Sequence, residues 1–125
     1  MLRPQMPLTL THRSGSIETV GLLDTGADVN VMPYDLGVSL GVDWDAQDTT
    51  VELSGNLARL EARGLVVNAT IGSLQPVLLV FAWTRATNVP LLLGQVNFFA
   101  EFDVCFYRAQ NVFEVRPRGG QIART

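Results

Sequence analysis

The stretch Gly21-Leu22-Leu23-Asp24-Thr25-Gly26-Ala27-Asp28 decides how this chain of 125 residues is read. An apolar strand delivers an acid into a tight turn, followed at once by a hydroxyl and a glycine. The strand draws Asp24 away from bulk water. Gly26 lets the backbone pass close enough for its N–H to reach a carboxylate. Thr25 supplies a short donor and acceptor beside the acid. The pattern holds a carboxylate rigidly in a semi-buried place. A lone buried carboxylate would protonate or destabilise the fold. Two that face each other share a proton instead, because like charges in close contact cannot both ionise. One is then a general base toward water while its protonated partner polarises a carbonyl, and the pair titrates as a unit. The chain holds a single Asp-Thr-Gly, so the second copy must come from a second chain across an isologous two-fold interface.

Outward from that stretch the periodicity is mostly that of strands. Leu8, Leu10 and His12 alternate with Thr9 and Thr11, and Ile17 to Leu23 continues after the turn signal Arg13-Ser14-Gly15-Ser16, which predicts an opening hairpin. Val29 to Met32 reads as a short strand ended by Pro33, and Tyr34 to Gly41 as one helical turn closed by glycine. Asp43 to Thr50 reads as a polar loop. Thr50 to Leu53 and Leu57 to Ala62 flank Ser54-Gly55-Asn56, a hairpin tip. Leu65 to Ile71 and Leu74 to Trp83 flank Gly72-Ser73, another. Pro90 to Leu93 reads as a short buried strand ending at Gly94, and Gln95 to Phe102 as a short helix. Phe102 to Arg108 and Val112 to Arg116 make a last hairpin, and Pro117 to Thr125 a frayed tail. Seven or eight short strands and one short helix make the expected fold class mostly β, a small barrel or sandwich, in one domain over residues 1–125.

Composition narrows the chemistry. The hydrophobic fraction of 47% and charged fraction of 17% exclude wholesale disorder. All nine bases are arginine, so Schiff-base chemistry and a P-loop lysine are excluded. The net charge is −3 and no run of bases exists, which argues against nucleic acid and anionic membrane as partners. One cysteine and one histidine exclude disulfides within the chain, thiolate zinc clusters and histidine metal sites. No cofactor and no metal is expected. The opening Met-Leu-Arg-Pro-Gln-Met-Pro-Leu lacks the pattern of a signal peptide, and Pro76 to Trp83 is far shorter than a bilayer span. With a free thiol, the cytoplasm is the expected compartment, for a whole protein or a piece of a larger one.

Leu22-Leu23-Asp24-Thr25-Gly26-Ala27-Asp28, followed downstream by Leu91-Leu92-Leu93-Gly94 and a helical segment, resembles the retroviral-type (retropepsin-like) aspartic proteases, most nearly their bacterial single-domain members. The order of hairpin, motif, short strand, flap hairpin, strand pair, Leu-Leu-Gly and helix covers residues 7–106. The resemblance implies a small closed β-barrel with one short C-terminal helix, and a homodimeric endopeptidase acting on peptide or protein substrates through water, with best activity at acidic to mildly acidic pH. Asp24 would be the catalytic aspartate, one per subunit. Thr25 would brace the two loops across the dimer axis. Gly26 would position the carboxylates and contact substrate main chain, and Ala27 and Asp28 would line the cleft. Gly55 would sit on the flap that closes over the peptide. Leu92, Leu93 and Gly94 would pack under the active-site loop. Two positions depart from the family pattern: the flap tip keeps one glycine, Gly55, and Gln95 stands where retroviral enzymes carry an arginine.

The remaining distinctive residues read as structural. Cys105 lies in an apolar run and is expected to be an inert core residue. His12, on a strand, has no G-x-S-x-G nucleophile to serve. Trp44 is a loop anchor. Asp43, Asp45 and Asp48 lack the spacing and glycine of a calcium loop. The alternative function is a non-catalytic dimeric module that binds peptides on the same fold.

Overall fold

A computed structural model describes residues 4–24, 26–53, 57–94, 98–107 and 112–117. The opening hairpin forms as its alternation predicts. Strand β1 (Gln5–His12) pairs antiparallel with β2 (Gly15–Leu23), in register from Gln5 opposite Leu22 to His12 opposite Gly15. Met6, Leu8 and Leu10 all point inward, at 3%, 4% and 0% exposure, so the strand's period of two builds one wall of the core. Strand β3 (Asn30–Met32) is buried throughout. Pro33 ends it, and helix α1 (Tyr34–Ser39) follows.

The chain then runs through β4 (Thr50–Val51), the long pair β5 (Ala62–Thr70) and β6 (Val77–Thr84), and β7 (Leu92–Leu93). Hydrogen-bonded neighbours follow the order β1-β2-β7-β3-β6-β5, and β5 returns to β1 through Thr9–Thr70, Leu10–Ala69 and Thr11–Asn68. Six strands therefore close a small barrel, with β4 hung on the free side of β5. The main core fills the barrel with Leu10, Met32, Leu79, Phe81, Trp83 and Leu93. Helix α2 (Phe98–Glu101) docks Phe98 into it, with Phe102 stacked alongside at 5.0 Å between ring centroids. Strands β8 (Phe102–Tyr107) and β9 (Val112–Pro117) form a separate two-stranded sheet. Pro117 thus ends a strand rather than opening the tail.

Two expectations need correction. Leu57 to Ala62 is not a strand: Leu60 N–H donates to the Leu57 carbonyl at 3.0 Å, closing a turn, and β5 starts at Ala62. The spacing of three between Leu57 and Leu60 sets both on one side of that turn, against a second apolar cluster of Val31, Leu53, Ala62, Ala82 and Leu92. The loop from Asp43 is also less open than its polarity predicts. A 3₁₀ turn at Trp44–Ala46 is capped by the Asp43 carboxylate, which accepts from Asp45 N–H at 3.1 Å.

That cap drives Trp44 inward as an anchor. It meets Trp83 edge-on at 5.1 Å and Tyr34 at 5.9 Å. Arg63 lies over the Trp44 ring at 4.7 Å, and its guanidinium donates to the carbonyls of Trp44 and Gln47 at 2.7 and 3.1 Å.

Candidate active site

Asp24 is the first residue past a fully paired strand. Leu22 and Leu23 run parallel beside Leu92 and Leu93. Leu22 N–H donates to the Leu91 carbonyl at 2.8 Å, Leu23 N–H to Pro4 at 3.0 Å, and Asp24 N–H to Leu93 at 3.0 Å. The ladder thus holds the backbone of Asp24 itself. Beyond it the chain turns, and Ala27 N–H donates to the Asp24 carbonyl at 3.1 Å. Asp24 as a residue is half-buried, and its Oδ1 accepts Gly26 N–H at 2.9 Å in a solvent-exposed bond. This is an Asx turn, in which the acid organises the loop that presents it. A Cβ on Gly26 would lie 3.2 Å from Asp24 Oδ1, tight but not prohibitive.

Gly94 lies directly beneath this loop. A Cβ there would meet the carbonyl oxygens of Val29 and Ala27 at 2.6 and 2.8 Å, so only glycine lets the two segments approach. Leu92 and Leu93 are buried under the loop, at 7% and 0% exposure. Leu92 faces the second apolar cluster, against which Leu22, Val29, Val51, Leu57, Leu60 and Val89 also pack. Ala27 is half-buried and Asp28 exposed on the same loop. Thr25, Gly55 and Gln95, and the side chain of Cys105, lie outside the described residues.

One residue of the site has no counterpart in the sequence reading. Asn30 is fully buried, accepts Gly94 N–H on Oδ1 at 2.8 Å, and donates from Nδ2 to the Val80 carbonyl at 3.0 Å. Its only signal in the sequence is an amide inside the apolar run Val29-Asn30-Val31-Met32.

His12 pairs with Gly15 at the far end of the opening hairpin, about 25–30 Å along β2 from Asp24 at the rise of a strand. It is no base for this acid. Among the described residues no group of three or more histidine, cysteine, aspartate or glutamate side chains is placed to hold a metal ion. No helix among them is long and apolar enough to cross a membrane.

The closed six-stranded barrel with a strand-borne acid loop seated on a Leu-Leu-Gly segment has the fold of the retropepsin-like aspartic proteases. The chain is similar to the crystal structure of a retropepsin-like aspartic protease from Rickettsia conorii, with a TM-score of 0.61 and 15% identity, over 90% of this chain and 89% of that one. No family model matches the chain, and no curated protein matches its sequence. At this identity the likeness establishes the fold.

Proposed function

We propose that this chain is one subunit of a homodimeric aspartic endopeptidase, a single domain over residues 1–125, in which Asp24 of each subunit supplies half of a carboxylate pair. The observation that carries the reading is the mounting of Asp24. Its backbone is bonded to Leu93, and its carboxylate is bonded to Gly26, within the fold of an aspartic protease. One acid so held has no chemistry of its own. Two across a two-fold axis share a proton, and the ionised member takes a proton from water as that water attacks the substrate carbonyl. The protonated member donates to the developing oxyanion; as the tetrahedral diol then collapses, the proton taken from water passes from the first member to the leaving amine, and the second member recovers a proton from the diol hydroxyl. Thr25 braces the two loops. Gly26, Ala27 and Asp28 meet substrate main chain, with Gly55 on the flap above. Leu22, Val29, Val51 and Val89 are partly buried against the second apolar cluster, and their remaining apolar surface would favour apolar side chains on an extended peptide.

The test is digestion of unfolded casein and a peptide library at acidic to neutral pH, with and without pepstatin, alongside sedimentation over a concentration series. Pepstatin-sensitive cleavage that rises with the dimer fraction is expected. Asp24→Asn should keep the fold, because an amide oxygen still accepts from Gly26, and abolish cleavage. Full turnover by that variant ends the reading. The shortness of β4, two residues, and the turn at 57–60 favour one alternative, a dimeric peptide-binding module without catalysis. A folded dimer that binds peptides and cleaves none would select it.

A further inference from the structure

The peptide group joining Leu93 to Gly94 is engaged at both ends. Its carbonyl accepts Asp24 N–H at 3.0 Å, and its N–H donates to Asn30 Oδ1 at 2.8 Å. The same asparagine donates to the Val80 carbonyl at 3.0 Å. Four groups therefore form one line of hydrogen bonds from the middle of β6, through the side chain of β3, through a single planar peptide, to the backbone of the acid. A peptide is rigid about its C–N bond, so turning its N–H turns its carbonyl. Each bond in such a line also polarises the next, so a carbonyl whose own N–H is bonded is a better acceptor.

Asn30 and Leu93 are both at 0% exposure. The bond from Gly94 to Asn30 is buried and the bond from Asn30 to Val80 part-buried, so losing the amide takes from the buried Gly94 N–H the acceptor it has here. A leucine or valine would serve packing at this position equally well. An amide is the side chain that accepts on one atom and donates on the other in the same plane.

We propose that Asn30 is a positioning residue for Asp24: by fixing the plane of the Leu93–Gly94 peptide, it sets where the Asp24 backbone, and with it the carboxylate, stands. The kinetic part of this inference rests on the endopeptidase reading; the positional part does not.

Two variants of the full chain test it, Asn30→Leu and Asn30→Asp. Amide exchange by NMR reads the line directly, with Leu65 and Val67 of β5 as internal references. In Asn30→Leu, protection of the Asp24 and Gly94 amides should fall roughly tenfold or more relative to those references, as expected when a buried bond of this kind is removed. With cleavage, kcat per active site, counted by titration with a tight-binding inhibitor, should fall at least as far while KM stays within about twofold; the titration separates this from a mere loss of folded protein. Asn30→Asp should recover both quantities at acid pH. The protonated acid donates its O–H to Val80 and accepts Gly94 N–H, as the amide does, and recovery should fade as the carboxyl ionises. Unchanged protection at Asp24 and Gly94 in Asn30→Leu overturns the proposal. If Asn30→Leu does not fold, Asn30→Asp decides alone: the ionised carboxylate still accepts Gly94 N–H but has no proton to give the Val80 carbonyl, so protection of the Asp24 amide that does not change as the new carboxyl ionises overturns it. Wild-type protein that cleaves no peptide, yet shows the exchange contrast, removes the endopeptidase reading and leaves the positioning role standing.

Discussion

Gly94 lies so close beneath Val29 that a β-carbon on it would stand 2.6 Å from the Val29 carbonyl oxygen. The obstructing atoms are backbone, including the Ala27 carbonyl at 2.8 Å, and backbone of a turn anchored at both ends yields poorly. Gly94→Ala should therefore cost about 2–3 kcal/mol, the range for overpacking a closed site. Urea denaturation measures it, and a change below about 0.5 kcal/mol would show that the loop slides freely over β7. The same substitution should reduce cleavage beyond the loss of folded protein, because the loop that is lifted carries Asp24.

Gly37 presents the opposite expectation from ordinary helix propensity. Within a helix, alanine in place of glycine gains up to about 1 kcal/mol. Here the new methyl would meet the Trp83 indole at 2.2–2.6 Å. Trp83 is fully buried and cannot swing away without breaking its bond from Nε1 to the Tyr34 carbonyl, 3.1 Å, and its 5.7 Å stack on the Tyr34 ring. The steric effect is the larger, so Gly37→Ala should destabilise by roughly 1–3 kcal/mol. Tryptophan fluorescence should report a looser Trp83 in the same variant. A stabilised variant would mean that α1 shifts bodily off the barrel.

The opening hairpin and the acid turn were legible because their signals are local. Met6, Leu8 and Leu10 alternate, and glycine and aspartate mark the turns. Leu92-Leu93-Gly94 was legible as a buried segment because it is apolar and ends in glycine. Closure of the barrel was less so, since Thr9 finds Thr70 only through pairing across the whole chain. Leu57 and Leu60 misled because a short apolar run has no decisive period, and their turn is chosen by contact with Val31 and Leu92. Asn30 was invisible for a stronger reason. In Val29-Asn30-Val31-Met32 an amide looks like the solvent side of an alternating strand. What makes it internal is Gly94 and Val80, partners 64 and 50 residues away.

The hairpin turn keeps a local inconsistency that substitution should relieve. Arg13 has φ of 53°, a left-handed backbone that a long side chain adopts at a cost. Glycine removes that cost and loses some of the gain to its greater freedom when unfolded. Arg13→Gly should be stabilising by about 0.5 kcal/mol, whereas Ser14→Gly, with no such strain to relieve, should not stabilise. The pair of thermal midpoints checks it. Equal effects at the two positions would place the origin of the change in the unfolded chain rather than in the turn.

The proposed sharing of one active site between two chains makes a quantitative demand on mixtures. Wild-type protein and Asp24→Asn, mixed in equal amounts and allowed to exchange subunits, give wild-type, mixed and mutant dimers in the ratio of about one to two to one by random pairing. A mixed dimer has one carboxylate facing an amide, so a base remains but no protonated carboxyl faces it to protonate the developing oxyanion. Activity per mole of total protein should therefore fall to about a quarter of the undiluted wild type, not to a half. Equilibrating the mixture before assay, and confirming exchange with differently labelled subunits, makes the fraction readable. A value near one half after full exchange would show that each chain works alone, and the carboxylate pair would have to be abandoned.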